Sequence, residues 1–316
     1  MKKNPSPPAD DRLHCRFCRA WSALSSADAP AVPGRRLFGR ALLAGGAAAA
    51  LPGLAGAQGI AKDVGNTSVF TKLVSAEQIE VAAAKQYAKL LAEARAKGKL
   101  GAEDHPQVLR LRAIAQRIIP HARPWNPRTP QWRWDVNLLV AKELNAFCMP
   151  GGKIAFFSGI LQQLQLEDAE VAAIMGHEAA HALREHARER IGKSSATSIG
   201  LSLGAQLLGL GSLGDVAANL GTQLLTLKFS RDDEIEADLV GMELAARAGY
   251  DPAAGVTLWE KMQQASKGAP PQWMSTHPSG SSRIAEIRAT LPKVQPLYAQ
   301  ADKPRERFAP MARSGG

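Results

Sequence analysis

Residues 175–181 read MGHEAAH, inside LEDAEVAAIMGHEAAHALREHARER at 166–190. The stretch has the composition of an amphipathic helix, expected to begin near Glu167 and end near Gly192. Helical positions four apart lie about 40° apart around the axis and about 6 Å along it, so His177 and His181 can aim two imidazoles at one ion. Glu178 is turned about 100° from His177, which sets its carboxylate beside such an ion, where it can hold and deprotonate a water. The pattern is H-E-x-x-H. A lone match can arise by chance, so its weight depends on a third ligand elsewhere in the chain.

That ligand is available in FSRDDEIEADLVGMELAARAGYDP at 229–252, a second expected helix with Gly249 as its stop. Glu234 and Asp238 are four apart and share a face. A row of acids is usually a solvated surface, and Asp232, Asp233 and Glu236 read that way. Two imidazoles with one carboxylate from another helix, however, form a common catalytic zinc set with one position open. Asp238, one turn on, could accept the free N–H of a liganding histidine and fix its tautomer.

The chain has 316 residues, 45% hydrophobic and 22% charged, enough for a proper core. Its net charge is +10, but residues 1–57 hold eight Lys/Arg against three Asp/Glu, leaving +5 for the rest. No aromatic-interleaved basic stripe is present, so no nucleic-acid partner is expected. Residues 1–57 read as an N-terminal region with a twin-arginine signal peptide: Arg35, Arg36 and Phe38 precede an uncharged Ala/Gly-rich run closing on Ala55-Gly56-Ala57. The alternative is an inner-membrane anchor facing the periplasm, which the shortness of the run and Pro52 disfavour. Cleavage would remove Cys15 and Cys18, leaving Cys148 and no internal disulfide.

Residues 58–74 read as a linker, 75–300 as a catalytic domain and 301–316 as a flexible tail. Ser75 to Gln78 resembles a capping box opening a helix to about Lys97, and Pro106 opens a second helix with Val108, Leu111, Ile114 and Ile118 at helical spacing. From Trp132 the period becomes two, with QWRWDVNLLV, then NAFCM and KIAFF about Pro150-Gly151-Gly152. The fold class is therefore mainly α (α+β), with a small sheet beside the HEAAH helix, and its edge could hold an extended peptide by strand addition. Residues 194–227 are apolar and glycine-rich; a lid or buried helix pair is the leading reading, peripheral membrane contact the next.

HEAAH followed by SRDDEIEAD resembles the HExxH…ExxAD signature of metallopeptidase family forty-eight, which includes the CAAX prenyl proteases, the HtpX heat-shock proteases and soluble periplasmic BepA-type proteins. Asn145-Ala146-Phe147 is similar to the family's edge strand, and Thr276-His277-Pro278 with Arg283 to its THP…R segment. His186 matches a recurrent histidine, which its angle on a continuous helix excludes from ligation; it is read as structural. The resemblance implies a zincin-type domain with one Zn2+ per chain on His177, His181 and Glu234, and Glu178 as general base. Asp238 would support a ligand, and Asn145 and Ala146 the substrate. It assigns His277 and Arg283 to the catalytic site, His277 either as a fourth zinc ligand at rest or as a partner of the oxyanion. The expected function is a zinc endopeptidase of the periplasm acting on misfolded or unassembled proteins; the alternative is a non-catalytic folding or assembly factor with a structural zinc. Oligomeric state is left open.

Overall fold

The computed structural model describes residues 59–194, 196, 224, 227–265, 272–277 and 281–313. The export signal expected over 1–57, and most of the 194–227 stretch, lie outside the described residues. Helix α1 spans Ala76–Ala96, with Ser75 Oγ accepting from Gln78 N, and α2 spans Pro106–Ile118 behind the His105 cap. Proline suits the first turn, where its missing N–H has no helical partner. Val108, Leu111, Ile114 and Ile118 are all buried, as their spacing predicts.

Three strands follow: β1 (Asp135–Leu139), β2 (Ala146–Met149) and β3 (Lys153–Phe157), in the order β1-β3-β2. β2 and β3 form the hairpin read from the sequence, and β1 lies parallel to β3. The turn needs left-handed backbone at Gly151 and Gly152, and a Cβ on Gly152 would fall 2.6 Å from the Trp134 ring. This leaves β2 as a sheet edge. Tyr87 on α1 donates to Ile154 O and packs with Met149 and Leu139 beneath the sheet.

Further helices follow among the described residues, five of them α3 (Ser158–Leu164), α4 (Asp168–Leu183), α5 (Arg231–Arg247), α6 (Ala254–Ala265) and the short α7 (Gln272–Thr276). A sixth, α8 (Ser281–Gln300), packs on α5 and α6. The HEAAH helix α4 differs from expectation in two respects. First, it is buried on nearly every side, packing against α2, α5, α6 and β2. The alanines allow this, since small side chains let neighbours close in all round.

Second, α4 ends at Leu183, not near Gly192. Arg184 is its C-cap, Glu185 takes φ 59°, and helix resumes over 186–194. A left-handed non-glycine residue costs roughly 1–2 kcal/mol. Arg, Glu and Ala are good helix formers, so nothing in 184–190 announces the break; tertiary contacts impose it. Asn126 Nδ2 donates to Leu183 O (3.1 Å), and Arg188 pairs with Glu185 (2.8 Å).

The flanks are engaged too. Within 58–74, Ile60 is fully buried and its N–H donates to Glu243 Oε2 on α5 (2.7 Å). Residues 301–313 lack regular structure but lie along α2 and α4. Gln107 donates to Ala309 O (3.1 Å), Gln165 to Met311 O (2.7 Å), and Phe308 N–H to Asp168 (2.9 Å).

Candidate metal centre

The two helices that carry the motif touch through glycines. A Cβ on Gly176 of α4 would lie 2.6 Å from Gly241 O, and one on Gly241 of α5 would lie 2.6 Å from His177 N. With no side chain between them the backbones close up, and Glu234 comes under His177 and His181. The Ser230–Asp233 capping box fixes the start of α5 at Arg231, three residues before Glu234.

His177, His181, Glu234 and His277 form one buried cluster whose ligand atoms all lie within 4.8 Å of one another. His177 Nε2 and His181 Nε2 are 3.1 Å apart, and each is 3.5 Å from an oxygen of Glu234. His277 Nδ1 lies 3.3 Å from His177 Nε2 and 3.0 Å from Glu234 Oε1. Zinc–nitrogen bonds of about 2.0–2.1 Å set tetrahedral ligands roughly 3.3 Å apart, so this donor set fits such an ion. Glu234 Oε2 supports the fit: it is buried and, although Arg283 Nη1 is 2.6 Å away, it makes no aligned hydrogen bond.

Asp238 Oδ1 accepts from His177 Nδ1 (3.0 Å), which turns His177 Nε2 toward the cluster. Arg283 grips the same carboxylate with Nε and Nη2, both at 2.7 Å, and its guanidinium sits 3.9 Å over the Trp259 ring. Burial pushes the Asp238 carboxyl up, but the Arg283 charge and the bonds from His177 and Arg283 outweigh it and bring it down to about 2. Burial likewise raises Glu234, while the His277 bond and the surrounding positive charge lower it to a net decrease. Burial and three neighbouring imidazoles drive His181 well below the usual histidine range, which favours the neutral form a metal needs. His277 goes the other way: burial lowers it, but Glu178 and Glu234 together raise it.

Glu178 is buried beside the cluster and accepts from the Trp273 indole N–H (2.6 Å); His277 Nε2 is 3.5 Å from the same oxygen. Trp273 and His277 are the two ends of one arm: His277 N–H donates to Trp273 O (2.9 Å), and their rings lie 5.0 Å apart at 30°. Trp273 N–H also donates to Leu144 O (3.1 Å), and Asn145 Oδ1 accepts from Ala146 N–H (3.0 Å). α7 thus meets the chain where the β2 edge begins. Phe229 stacks on His181 at 3.9 Å and its N–H donates to Thr276 O.

The structure therefore brings His177, Glu178, His181, Glu234, Asp238, His277 and Arg283 into one buried group, with Asn145 and Ala146 at its margin. Arg283 is committed to two carboxylates. Sequence reading did not find Trp273, Phe229 or the role of Glu236. Isolated aromatics before a THP segment or a helix cap carry no spacing signal, and Glu236 sits in an acidic run whose ordinary reading is solvation. In fact Glu236 is part-buried between Arg184 and His186, whose attraction outweighs burial and lowers its carboxyl.

An HExxH helix crossed by a Glu-bearing helix, over a three-stranded sheet, defines a metallopeptidase-type domain. The chain belongs to peptidase family M48, which it matches over residues 106–291. It is 37% identical over 194 residues to the mitochondrial metalloendopeptidase OMA1 of Schizosaccharomyces pombe, covering 60% of this chain and 55% of that protein. Against the OMA1 of Arabidopsis thaliana it is 39% identical over 150 residues, 48% of this chain and 30% of that one. With the beta-barrel assembly-enhancing protease of Escherichia coli it shares 29% over 203 residues, 61% of this chain and 40% of that protein. The chain thus spans about half or less of these relatives.

Proposed function

We propose that this protein is a zinc-dependent endopeptidase. The observation that carries the reading is the convergence of His177 Nε2, His181 Nε2 and Glu234 with a carboxylate, Glu178, beside them instead of among them. Those three residues would hold the ion, and zinc when bound supplies the Lewis acidity that makes water nucleophilic near neutral pH. Glu178 takes the proton of the attacking water and returns it to the leaving amine. Arg283 and Asp238 hold His177 in place, and His277, standing among the donors, would gate the open zinc position at rest. An extended substrate would pair with the outer edge of β2 near Asn145 and Ala146.

Substrates would be misfolded or unassembled proteins of the cell envelope, reached after twin-arginine export. Among the described residues no helix is long and apolar enough to cross a membrane. Export is checked in two ways: the wild-type exported form should begin near Gln58, and replacing Arg35 and Arg36 with Lys should abolish it, whereas an unchanged exported fraction would point to another route. Peripheral membrane contact through 194–227 belongs to the same proposal.

One observation favours a second reading. His277 makes the donor set four, as in a closed structural site, which would suit a non-catalytic folding factor. Casein cleavage by the zinc-loaded chain, wild type against Glu178→Gln, separates the two: no difference between them would leave the structural role.

A further inference from the structure

The two histidines of the HEAAH motif each have the far nitrogen occupied, but they are served differently. His177 is held directly by Asp238, itself gripped by Arg283. His181 Nδ1 instead lies 2.9 Å from His186 Nδ1, and His186 Nε2 lies 3.1 Å from Glu236 Oε2. Glu236 is in turn bonded by Arg184 Nε (2.5 Å). This inference rests on the metallopeptidase reading above.

The donor count along this chain has one low-cost solution. An ionised carboxylate only accepts, so His186 Nε2 must carry the proton it donates to Glu236. A neutral His186 then presents a lone pair at Nδ1, and His181 Nδ1 must be the donor. His181 Nε2 is left with its lone pair facing the cluster. The opposite assignment, with the proton on His181 Nε2, sets a lone pair of His186 against the carboxylate or requires His186 to be charged in a site where it is 1% exposed.

The backbone break serves the same contact. His186 would point away from His181 on a continuous helix, and Glu185 at φ 59° redirects it. Strained non-glycine backbone persists where the surroundings impose it, and such positions cluster at functional sites.

We propose that His186 and Glu236, anchored by Arg184, are positioning residues that fix His181 as the Nδ1-protonated tautomer with Nε2 aimed at the metal. They form a longer counterpart of the Asp238–Arg283 support of His177.

The test uses the full chain stripped of metal and reloaded with zinc. Nitrogen-15 NMR of the stripped wild type should show His181 protonated at Nδ1; protonation at Nε2 would overturn the proposal. Glu236→Gln, conservative and partly exposed, should mix the tautomers and weaken zinc binding about 10–100-fold in chelator competition. His186→Phe should weaken it at least as much, whereas His186→Asn, which keeps an acceptor near the Nδ1 position, should recover most of the loss. Wild-type zinc affinity in both Glu236→Gln and His186→Phe would sink the idea. If wild type takes up no zinc at all, the peptidase reading fails, while the NMR result still decides the tautomer.

Discussion

At the scale of single residues, Glu178 and Glu234 are both buried carboxylates in one side-chain cluster, and their surroundings give them opposite work. Glu234 has an oxygen 3.5 Å from each of the paired imidazole nitrogens, whereas Glu178 accepts from Trp273 and stands off the cluster. Glu178→Gln should therefore keep stoichiometric zinc and the fold while losing nearly all peptidase activity, because only the proton acceptor is gone. Glu234→Gln should lose zinc on dialysis, since a ligand has lost its charge. Zinc-to-protein ratios beside cleavage rates check both, and cleavage by Glu178→Gln within a few-fold of wild type would refute the mechanism. The spacings of His177, His181, Glu234 and Asp238 made this much legible, because a helix converts a separation of four into a shared face. Trp273 and Phe229 were not legible: they reach the site through loop and cap geometry that no local period encodes.

At the scale of elements, the centre depends on how closely α4 and α5 approach. Sequence periodicity placed both helices, and the end of α5 at Gly249 agrees with the observed cap at Ala248. It did not disclose their contact. Gly176 and Gly241 look like ordinary small residues within helical stretches, and only the fold shows each lying against the other's backbone. Gly241→Ala would place a methyl 2.6 Å from His177 N, against backbone that cannot rotate away. The helices must separate by a few tenths of an ångström or more, which moves Glu234 relative to both imidazoles. Overpacking of this kind typically costs about 1–3 kcal/mol, so thermal melting should fall by several degrees and zinc affinity should fall with it. Unaltered melting and unaltered zinc affinity would mean that the two helices have slack at this crossing. The break after Leu183 escaped sequence reading for a related reason: local propensity favours continuation, and the opposing contacts come from Asn126 and from His186 facing His181.

At the scale of the whole molecule, the arm bearing Trp273 and His277 touches three things a substrate needs at once. Trp273 N–H occupies Leu144 O just before the β2 edge, its indole occupies Glu178, and His277 stands in the ligand cluster. The sequence allowed His277 to be a gate or an oxyanion partner, and these roles predict opposite outcomes. A gate suppresses resting activity by the fraction of molecules that hold it shut: with about nine in ten shut, freeing the site raises turnover about tenfold. An oxyanion donor instead supplies roughly 10²–10³-fold in turnover, lost on its removal. Because the arm from Trp273 to His277 engages the edge, the base and the cluster together, the gate is expected. His277→Ala should raise basal cleavage of unfolded casein several-fold with zinc content unchanged, and the gain should fade when a saturating substrate already opens the wild type. A fall in cleavage at unchanged zinc content would assign His277 to the oxyanion and remove the gate.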